Sequence, residues 1–506
     1  MKKIILMLCF FASLAINAQT YDFKTDQSLL TWTNSGGSNG VSVVSDGMAV
    51  SWIANKKPKV EITGASINAN TNKYLSITLI NNSSEAVEMQ VQHDANNAGT
   101  GARFYLMPGD LATSLATPTT YVVDLTNAEW TGIMASVALA FRGAGNTNLT
   151  NPSSSGDIII QKIEFISEVP VKDTYLFNSG NYNEGWVLDD GVTNDINSGI
   201  MTIVPTVNGS TKINQNFFKL DPSVHSHLHI TFKNESALNN QIRIQWILTS
   251  PSTRKGGNIN ISSGMSGFET LTYDLTTEKG TEWTTAEAIG FQIIIRDTNN
   301  GNNSSAGNFL IQSIVFNNSA TPPNIFSAET DNDWNTATNW SLNEIPTGAS
   351  NVTIPTNTNT TIGASTAVDV NNLEVNSGAS LTINGGGSLI VNGTSTGNVT
   401  YNRTLATNNW YLVASPVVGE TAVDLISNAG DISNNGSEFA IGTYNDGWTY
   451  NYSATLGSGS GYAVKKDASG NLPFTGTIQT SDVASTTFDT TDDFNLFGNP
   501  YPSYIP

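Results

Sequence analysis

Amide and guanidinium side chains recur at alternate positions of several predicted strands. They are Gln90, Gln92 and Arg142 in one stretch, and His229, Arg243, Gln245 and Arg296 in a later, similar stretch. These groups form directional hydrogen bonds, and the small residues beside them leave a shallow face on which hydroxyl groups could bind. The recurrence of Arg142 and Arg296 at the same place favours a ligand, while an ordinary solvated sheet face is the competing interpretation.

Repeated tryptophans are the second kind of candidate, because exposed aromatic rings form large, rigid contacts with flat ligands such as sugar rings. Trp186 is included among the binding residues, although it and its counterpart Trp32 are equally consistent with a structural role. Trp130 and Trp283 each follow a turn and precede a core strand, which favours a structural role for both.

Motifs for metal binding and catalysis are weak. The stretch HSHLH (225–229) contains the His-x-His spacing of a zinc or copper chelator, but the first stretch has Asn72, Tyr74 and Ser76 at those positions. GTSTG (393–397) has the spacing of a nucleophile elbow, yet it lies among glycine turns and follows the last histidine, His229. We therefore expect no enzyme and no cofactor, with the metal content undetermined and a structural calcium ion on loop carboxylates left open.

The elements that carry these residues are duplicated. AEWTGIMASVALAFRG (128–143) recurs as EWTTAEAIGFQIIIRD (282–297), and DIIIQKIEF (157–165) recurs as NFLIQSIVF (308–316). Such internal similarity indicates two tandem copies of one domain. We place the copies at 19–170 and 171–320.

Alternating apolar residues predict what each strand buries, because successive side chains of a strand point to opposite faces. In the first copy these residues are Leu75, Ile77 and Leu79; Val87, Met89 and Val91; and Val137, Leu139 and Phe141. In the second copy they are Leu228, Ile230 and Phe232; Ile242, Ile244 and Trp246; and Phe291, Ile293 and Ile295. Together with the scarcity of helical periodicity, they predict an all-β chain with two tandem β-sandwich (jelly-roll) domains.

The rest of the chain has a different pattern. Residues 325–400 are rich in Thr, Asn and Gly, and Leu373, Leu381 and Leu389 recur at a short fixed spacing. This spacing predicts stacked rungs of a short β-roll or β-helix, with simple hairpins as the alternative. Residues 401–506 predict a further β domain, which we expect to be truncated.

The N-terminal segment and the bulk charge concern location and partners. Residues 1–18 combine Lys2, Lys3, a short apolar run and Ala18, which is typical of a secretory signal peptide. The net charge of −20 repels phosphate backbones, so we expect no nucleic-acid partner. No stretch is long enough to predict a membrane span. We expect a secreted protein that is extracellular or lies on the outer cell surface.

The two copies resemble a known kind of module. Trp130, Gly132, Ile133 and Arg142, followed by the strand DIIIQKIEF, are similar to galactose-binding-like, carbohydrate-binding-module-like jelly rolls of bacterial polysaccharide-degrading enzymes. The second copy keeps Trp283 and Arg296 but lacks the glycine. This resemblance covers residues 20–320 and implies binding to a polysaccharide or a cell-surface glycan.

The C-terminal part carries a second resemblance. WNTATNWSLNEIP (334–346), SLTINGGGSLIVNG (380–393), RTLATNNWYLVASPV (403–417) and FNLFGNPYPS (494–503) are similar to Bacteroidota-type surface proteins of the type IX secretion system. The sequence thus favours a secreted or cell-surface, non-catalytic polysaccharide-binding protein. The alternatives are a surface adhesin or structural protein with spacer sandwiches, and an accessory part of a polysaccharide-degrading enzyme whose catalytic domain is absent. The oligomeric state is not indicated.

Overall fold

A computed structural model describes residues 19–504 with gaps at 26–31, 37, 94–101, 105–110, 127–128, 154–156, 178–181, 189–193, 198, 216, 251–253, 278–281, 284–285, 302, 329, 356–357, 377, 445–446 and 485–494. The predicted signal segment 1–18 lies outside the described residues. The chain divides into two compact units. The first is Met1–His225, Asn234–Ser266 and Thr276–Leu310, and the second is Ser226–Lys233, Gly267–Leu275 and Ile311–Pro506.

The first copy forms a sandwich of two antiparallel sheets. Its strands are β1 (Gln19–Asp22), β2 (Trp32–Gly36), β3 (Ser38–Val44), β4 (Gly47–Trp52), β5 (Pro58–Asn68), β6 (Tyr74–Asn81), β7 (Glu88–His93), β8 (Ala102–Phe104), β9 (Leu115–Asp124), β10 (Ile133–Arg142) and β11 (Ile158–Ile166). One sheet has the order β3-β4-β11-β6-β9, with β1 beside β11, and the other has the order β2-β5-β10-β7-β8. Consecutive strands such as β6 and β7 therefore lie in different sheets.

The core of this sandwich is built from the alternating apolar residues. Leu75 and Ile77 of one sheet and Val137 and Leu139 of the other belong to one buried cluster. Each such side chain contributes about 1.5–3 kcal/mol when it leaves water. The core residues predicted for both copies are buried, except that Val87, which precedes β7, is half-buried.

The second copy repeats the pairings of the first. Its strands are β12 (Thr174–Tyr175), β13 (Trp186–Leu188), β14 (Asn194–Asn197), β15 (Ile200–Ile203), β16 (Thr211–Gln215), β17 (His227–Asn234), β18 (Gln241–Leu248), β19 (Arg254–Asn260), β20 (Glu269–Asp274), β21 (Ala288–Arg296) and β22 (Phe309–Asn317). In the first unit, the sheet β13-β16-β21-β18-β19 matches β2-β5-β10-β7-β8. In the second unit, β17 pairs with β20 as β6 pairs with β9. The predicted tandem sandwiches are confirmed.

The repeated tryptophans hold equivalent places in the two copies. The indole N–H of Trp130 donates to the carbonyl of Asn72 at 2.6 Å, and that of Trp283 donates to the carbonyl of His225 at 2.6 Å. Both rings are fully buried. Their structural role is therefore confirmed.

The region after the second copy winds into a short parallel β-helix. Its strands are β23 (Asn324–Ile325), β24 (Asn351–Ile354), β25 (Asn359–Ile362), β26 (Ala367–Val370), β27 (Asn372–Val375), β28 (Ser380–Ile383), β29 (Ser388–Val391), β30 (Ser395–Thr396) and β31 (Val399–Leu405). β24 pairs in parallel with β27, β25 with β28 and β26 with β29. Adjacent strands of a hairpin would be antiparallel. The β-helix is thus confirmed and the hairpin alternative is wrong.

The coils of this β-helix are longer than the leucine spacing. Asn372 Nδ2 donates to Asn351 Oδ1 at 2.7 Å across a coil of 21 residues. Leu373, Leu381 and Leu389 instead lie on the three successive strands β27, β28 and β29 of one coil and point into its core. The leucine spacing therefore marks strands within a coil rather than whole rungs.

A mixed β region completes the described chain. Its elements are β32 (Trp410–Ala414), α1 (Ala422–Ala429), β33 (Ile441–Tyr444), β34 (Trp448–Tyr450), β35 (Gly461–Lys465) and β36 (Gly470–Gly476). β36 pairs with β31, and the sheet β32-β35-β33-β34 shares an apolar core with the β-helix. α1 begins at Thr421, whose hydroxyl accepts the N–H of Asp424, and ends at Gly430 in the left-handed region. Among the described helices, none is long and apolar enough to cross a membrane.

Candidate functional site

The predicted polar residues divide between different sheets. Gln90, Gln92 and Arg142 lie on the outer side of the sheet that contains β7 and β10, and Arg243, Gln245 and Arg296 lie on the outer side of the sheet that contains β18 and β21. His229 lies on β17, which pairs with β20 and belongs to neither sheet. We call these outer sides the first and second polar faces, and His229 belongs to neither face.

The prediction that His229 binds a ligand is wrong. Its side chain is buried, with Nδ1 3.0 Å from Thr272 Oγ1 and Nε2 3.0 Å from Asn317 Oδ1. Burial lowers the pKa of His229 below its ordinary value. A buried imidazole whose two nitrogens both have partners has no capacity left for a glycan or a metal ion.

The prediction for Trp186 is also wrong. Its ring is 0% exposed and lies 5.4 Å from the ring of Tyr175 and 6.5 Å from that of Phe291. A ring can stack on a sugar only when one of its faces is accessible. Trp186 is therefore part of the core, as is its counterpart Trp32.

A loop closes part of the first polar face. The carboxylate of Glu88 accepts the N–H groups of Gly145 at 2.7 Å and Asn146 at 3.0 Å, and Gln90 Nε2 donates to Asn146 Oδ1 at 3.4 Å. Gln90 is 1% exposed and Arg142 is 7% exposed. These two residues are therefore not accessible as predicted, and Gln92 remains half-buried.

The second polar face is more open. Arg243, Gln245 and Arg296 are each half-buried rather than buried. The register adds neighbours that the sequence did not single out: Asn214 stands beside Gln292, Lys212 beside Ile294, and Asn258 beside Arg243. Alternation along a strand predicts the side on which each of these residues points, but it does not predict the neighbouring strand, so these residues were missed.

Hydrogen bonds hold part of this face in place. Arg296 donates from Nη1 to Asn258 Oδ1 at 2.9 Å and from Nη2 to the carbonyl of Gly301 at 3.3 Å, and Gln292 donates to Asn214. Burial and, secondarily, the charge of Arg243 lower the pKa of Arg296 from its ordinary value. Arg243 Nε is buried without a hydrogen-bond partner among the described residues. The face thus presents donors at fixed positions on a rigid sheet, which suits recognition of hydroxyl or acid groups.

An exposed aromatic cluster lies in the C-terminal region. The ring of Tyr450 is 5.3 Å from that of Trp410 and 6.3 Å from that of Trp448, and all three side chains are exposed. The W-x-Y spacing of Trp448 and Tyr450 places both on one side of β34, which is a signal that sequence reasoning did not use. A separate cavity of about 390 Å³ is lined by residues that include Tyr401, Arg403 and Phe474. It contains none of the predicted site residues.

Within the described ranges, no group of three or more His, Cys, Asp or Glu side chains is arranged to hold a metal ion. The structural calcium ion stays a prediction.

Comparisons with known proteins give limited matches. Residues 325–396 match a family model described as a domain of unknown function, DUF8693. A comparison with curated proteins found no match. Among solved structures, the chain is similar to the N-terminal CBM22-1-CBM22-2 tandem domain of Xyn10C from Paenibacillus barcinonensis, with 10% identity over 59% of this chain and 97% of that chain at a TM-score of 0.22.

Single modules are matched as well. The family 11 carbohydrate-binding module from Clostridium thermocellum, in complex with a β-1,3-1,4-mixed-linked tetrasaccharide, has 14% identity over 29% of this chain and 95% of that chain at a TM-score of 0.23. A variant of a family 29 carbohydrate-binding module, in complex with cellulohexaose, has 15% identity over 29% of this chain and 92% of that chain at a TM-score of 0.21. TM-scores of this size are too low to assign a shared ligand.

Proposed function

We propose that the protein is a secreted or cell-surface, non-catalytic polysaccharide-binding protein, and that the second polar face is its binding surface. The observation that carries this proposal is the arrangement of Arg243, Gln245 and Arg296 as half-buried donors on neighbouring strands. Polysaccharides present rows of hydroxyl oxygens, and a sheet face with donors at regular intervals can bind several sugars at once. The β-helix and the C-terminal region would then present the sandwiches at the cell surface.

The choice of the second face follows from accessibility. In the first face, Asn146 lies over Gln90, and both Gln90 and Arg142 are buried. A ligand that bound there would have to displace the loop that carries Gly145 and Asn146. The second face needs no such displacement for Arg243, Gln245 or Arg296.

The test is retention of the full chain in native gels that contain soluble polysaccharides, with wild type beside Arg296→Ala. We expect at least one polysaccharide to retard the wild type and the variant to be retarded less, while a melting temperature within about 8 °C of the wild type, lowered by the loss of the bonds to Asn258 and Gly301, shows that the variant is folded. The matched control is Lys59→Ala, which removes a half-buried cation from the first sandwich. Equal retardation of wild type and Arg296→Ala on a bound glycan would remove this face as the site.

The other candidate functions correspond to other outcomes of that test. An adhesin or structural protein with spacer sandwiches would show no retardation by any polysaccharide of the panel. An accessory part of a polysaccharide-degrading enzyme would bind polysaccharide in the same way. The presence of a catalytic domain elsewhere in the same protein would distinguish this function from the first. No residue of the second polar face is assigned a catalytic role.

A further inference from the structure

The two polar faces carry different charges at equivalent positions. In the strand register of the first sandwich, Arg142 is opposite Glu88, and Ala140 is opposite Gln90 on one neighbouring strand and Lys59 on the other. In the register of the second sandwich, Arg296 is opposite Gln241, and Ile294 is opposite Arg243 on one neighbouring strand and Lys212 on the other. The same register therefore makes Gln241 the counterpart of Glu88, and Arg243 the counterpart of Gln90.

Carboxylates accompany the cations of the first face. Lys59 Nζ lies 3.6 Å from Glu61 Oε2, and Arg142 stands opposite Glu88. Glu61 and Glu88 thus offset part of the positive charge of this face, to which Lys57 also contributes from its edge, with Nζ donating to Asn146 Oδ1 at 3.2 Å.

The charges of the second face do not cancel. Asn214 replaces Glu61, Gln241 replaces Glu88, and Arg243 replaces Gln90. Lys212, Arg243 and Arg296 remain as cations, and the outward positions of the described strands β16, β18, β19 and β21 hold no carboxylate. The whole chain has a net charge of −20, so a local excess of positive charge is contrary to its composition.

The cations are also close enough to repel one another. Arg243 and Arg296 are diagonal neighbours on adjacent strands, a separation of about 7–8 Å between Cα atoms. Neither Lys212 nor Arg243 forms an ion pair within the described part of the chain, and Arg243 Nε is buried without a hydrogen-bond partner there. An oxyanion beside these guanidiniums would give Arg243 Nε an acceptor and reduce the repulsion between the two cations, because guanidinium groups bind carboxylates and related oxyanions in a bidentate manner.

Resting on the proposed function, we infer that the second polar face selects anionic polysaccharides, whose carboxylate or sulfate groups pair with Arg243, Arg296 and Lys212. Strands are about 4.8 Å apart, so Lys212 and Arg243, which flank Ile294, stand about 10 Å apart in one row. Cations at such intervals contact repeated acid groups of one polymer chain. The first sandwich has less of this selectivity because Glu61 and Glu88 lie among the cations of its face.

The test measures binding of the full chain to polygalacturonate by calorimetry, beside the same polymer with its carboxylates methyl-esterified. We expect binding to the charged form, at least about tenfold weaker binding to the ester, and a loss of about tenfold for Arg243→Gln, which restores the residue type of the first sandwich. Lys59→Gln is the control and leaves the affinity unchanged. Melting temperatures show that each variant is folded.

Further arms separate the outcomes. A loss with Arg243→Gln on dextran sulfate as well supports the inference with sulfate as a second acid group. Equal binding to the charged and esterified polymers, or an unchanged affinity in Arg243→Gln, overturns the inference and leaves the proposed function standing. Failure to bind any charged or neutral polysaccharide overturns both.

Discussion

Arg243 occupies in the second sandwich the position that Gln90 occupies in the first. Gln90 pairs with Ala140 and lies under Asn146, whereas Arg243 pairs with Ile294 and remains half-buried. A single register therefore supports a partly closed face that carries carboxylates in one copy and a more open face without carboxylates on its described strands in the other. Duplication preserved the scaffold while the outward residues diverged.

The cationic face predicts a strong dependence on salt. Raising the ionic strength from about 0.01 M to about 1 M shortens the Debye length from about 30 Å to about 3 Å, so the affinity for polygalacturonate is expected to fall steeply. Calorimetric titrations at several salt concentrations measure this slope. A flat profile would mean that charge does not contribute to binding, and the methyl-esterified polymer supplies the uncharged reference.

The sequence was sufficient for the fold because alternation and repetition are local signals. The predicted burial of Leu75, Ile77 and Leu79 is confirmed, and so is the equivalence of Arg142 and Arg296. Alternation shows which side of a strand is buried but not which sheet the strand joins. The sequence therefore groups His229 with Arg243, although β17 belongs to another sheet than β18.

The site was harder to predict because accessibility depends on tertiary contacts. Gln90 is covered by Asn146, a residue far away in the sequence. Trp186 is the first residue of a strand of only three residues. Such a strand is too short for alternation to predict which face the Trp186 ring lies on. Lys212 and Asn214 were missed since their importance comes from the strands that flank them.

The buried tryptophans predict equal stability effects in the two copies. Replacing Trp283 by Phe removes the hydrogen bond to the carbonyl of His225 and leaves that oxygen without its donor. We expect a loss of about 1–3 kcal/mol in the free energy of unfolding, and the same for Trp130→Phe, by urea denaturation. The control is the exposed Trp410, whose replacement by Phe should change stability by less than about 0.5 kcal/mol. An equal effect at all three positions would argue against the hydrogen bonds.

Adjacent residues of β29 offer a test of the β-helix core. Leu389 is 1% exposed and Ile390 is 47% exposed. Leu389→Ala should lower the free energy of unfolding of this region by about 2–5 kcal/mol because it leaves a cavity. Ile390→Ala should change it by less than about 0.5 kcal/mol. A larger loss of stability for Ile390→Ala than for Leu389→Ala would contradict the burial of Leu389 in the core of the β-helix.

A buried carboxyl group predicts how stability depends on pH. Burial, and then the charge of Asp424, raise the pKa of Glu420 from 4.5 to about 7. Because the folded pKa is the higher one, the contribution of Glu420 is fully present below pH 4.5 and is lost as the pH rises through about 7. Glu420→Gln is therefore expected to gain about 1–3 kcal/mol relative to wild type between acidic and mildly alkaline pH. Denaturation curves across this range measure the difference, and parallel pH profiles would refute it.

The most direct measurement compares Gln245→Ala with Gln92→Ala, which remove the same amide from equivalent positions of the two faces. Affinities are measured for the polysaccharide that binds the wild type most tightly. Because Gln245→Ala removes a hydrogen bond to the ligand, we expect about two- to tenfold weaker binding for this variant. We expect unchanged binding for Gln92→Ala, which lies on the other face. Equal effects, or a larger effect of Gln92→Ala, would contradict the assignment of binding to the second polar face.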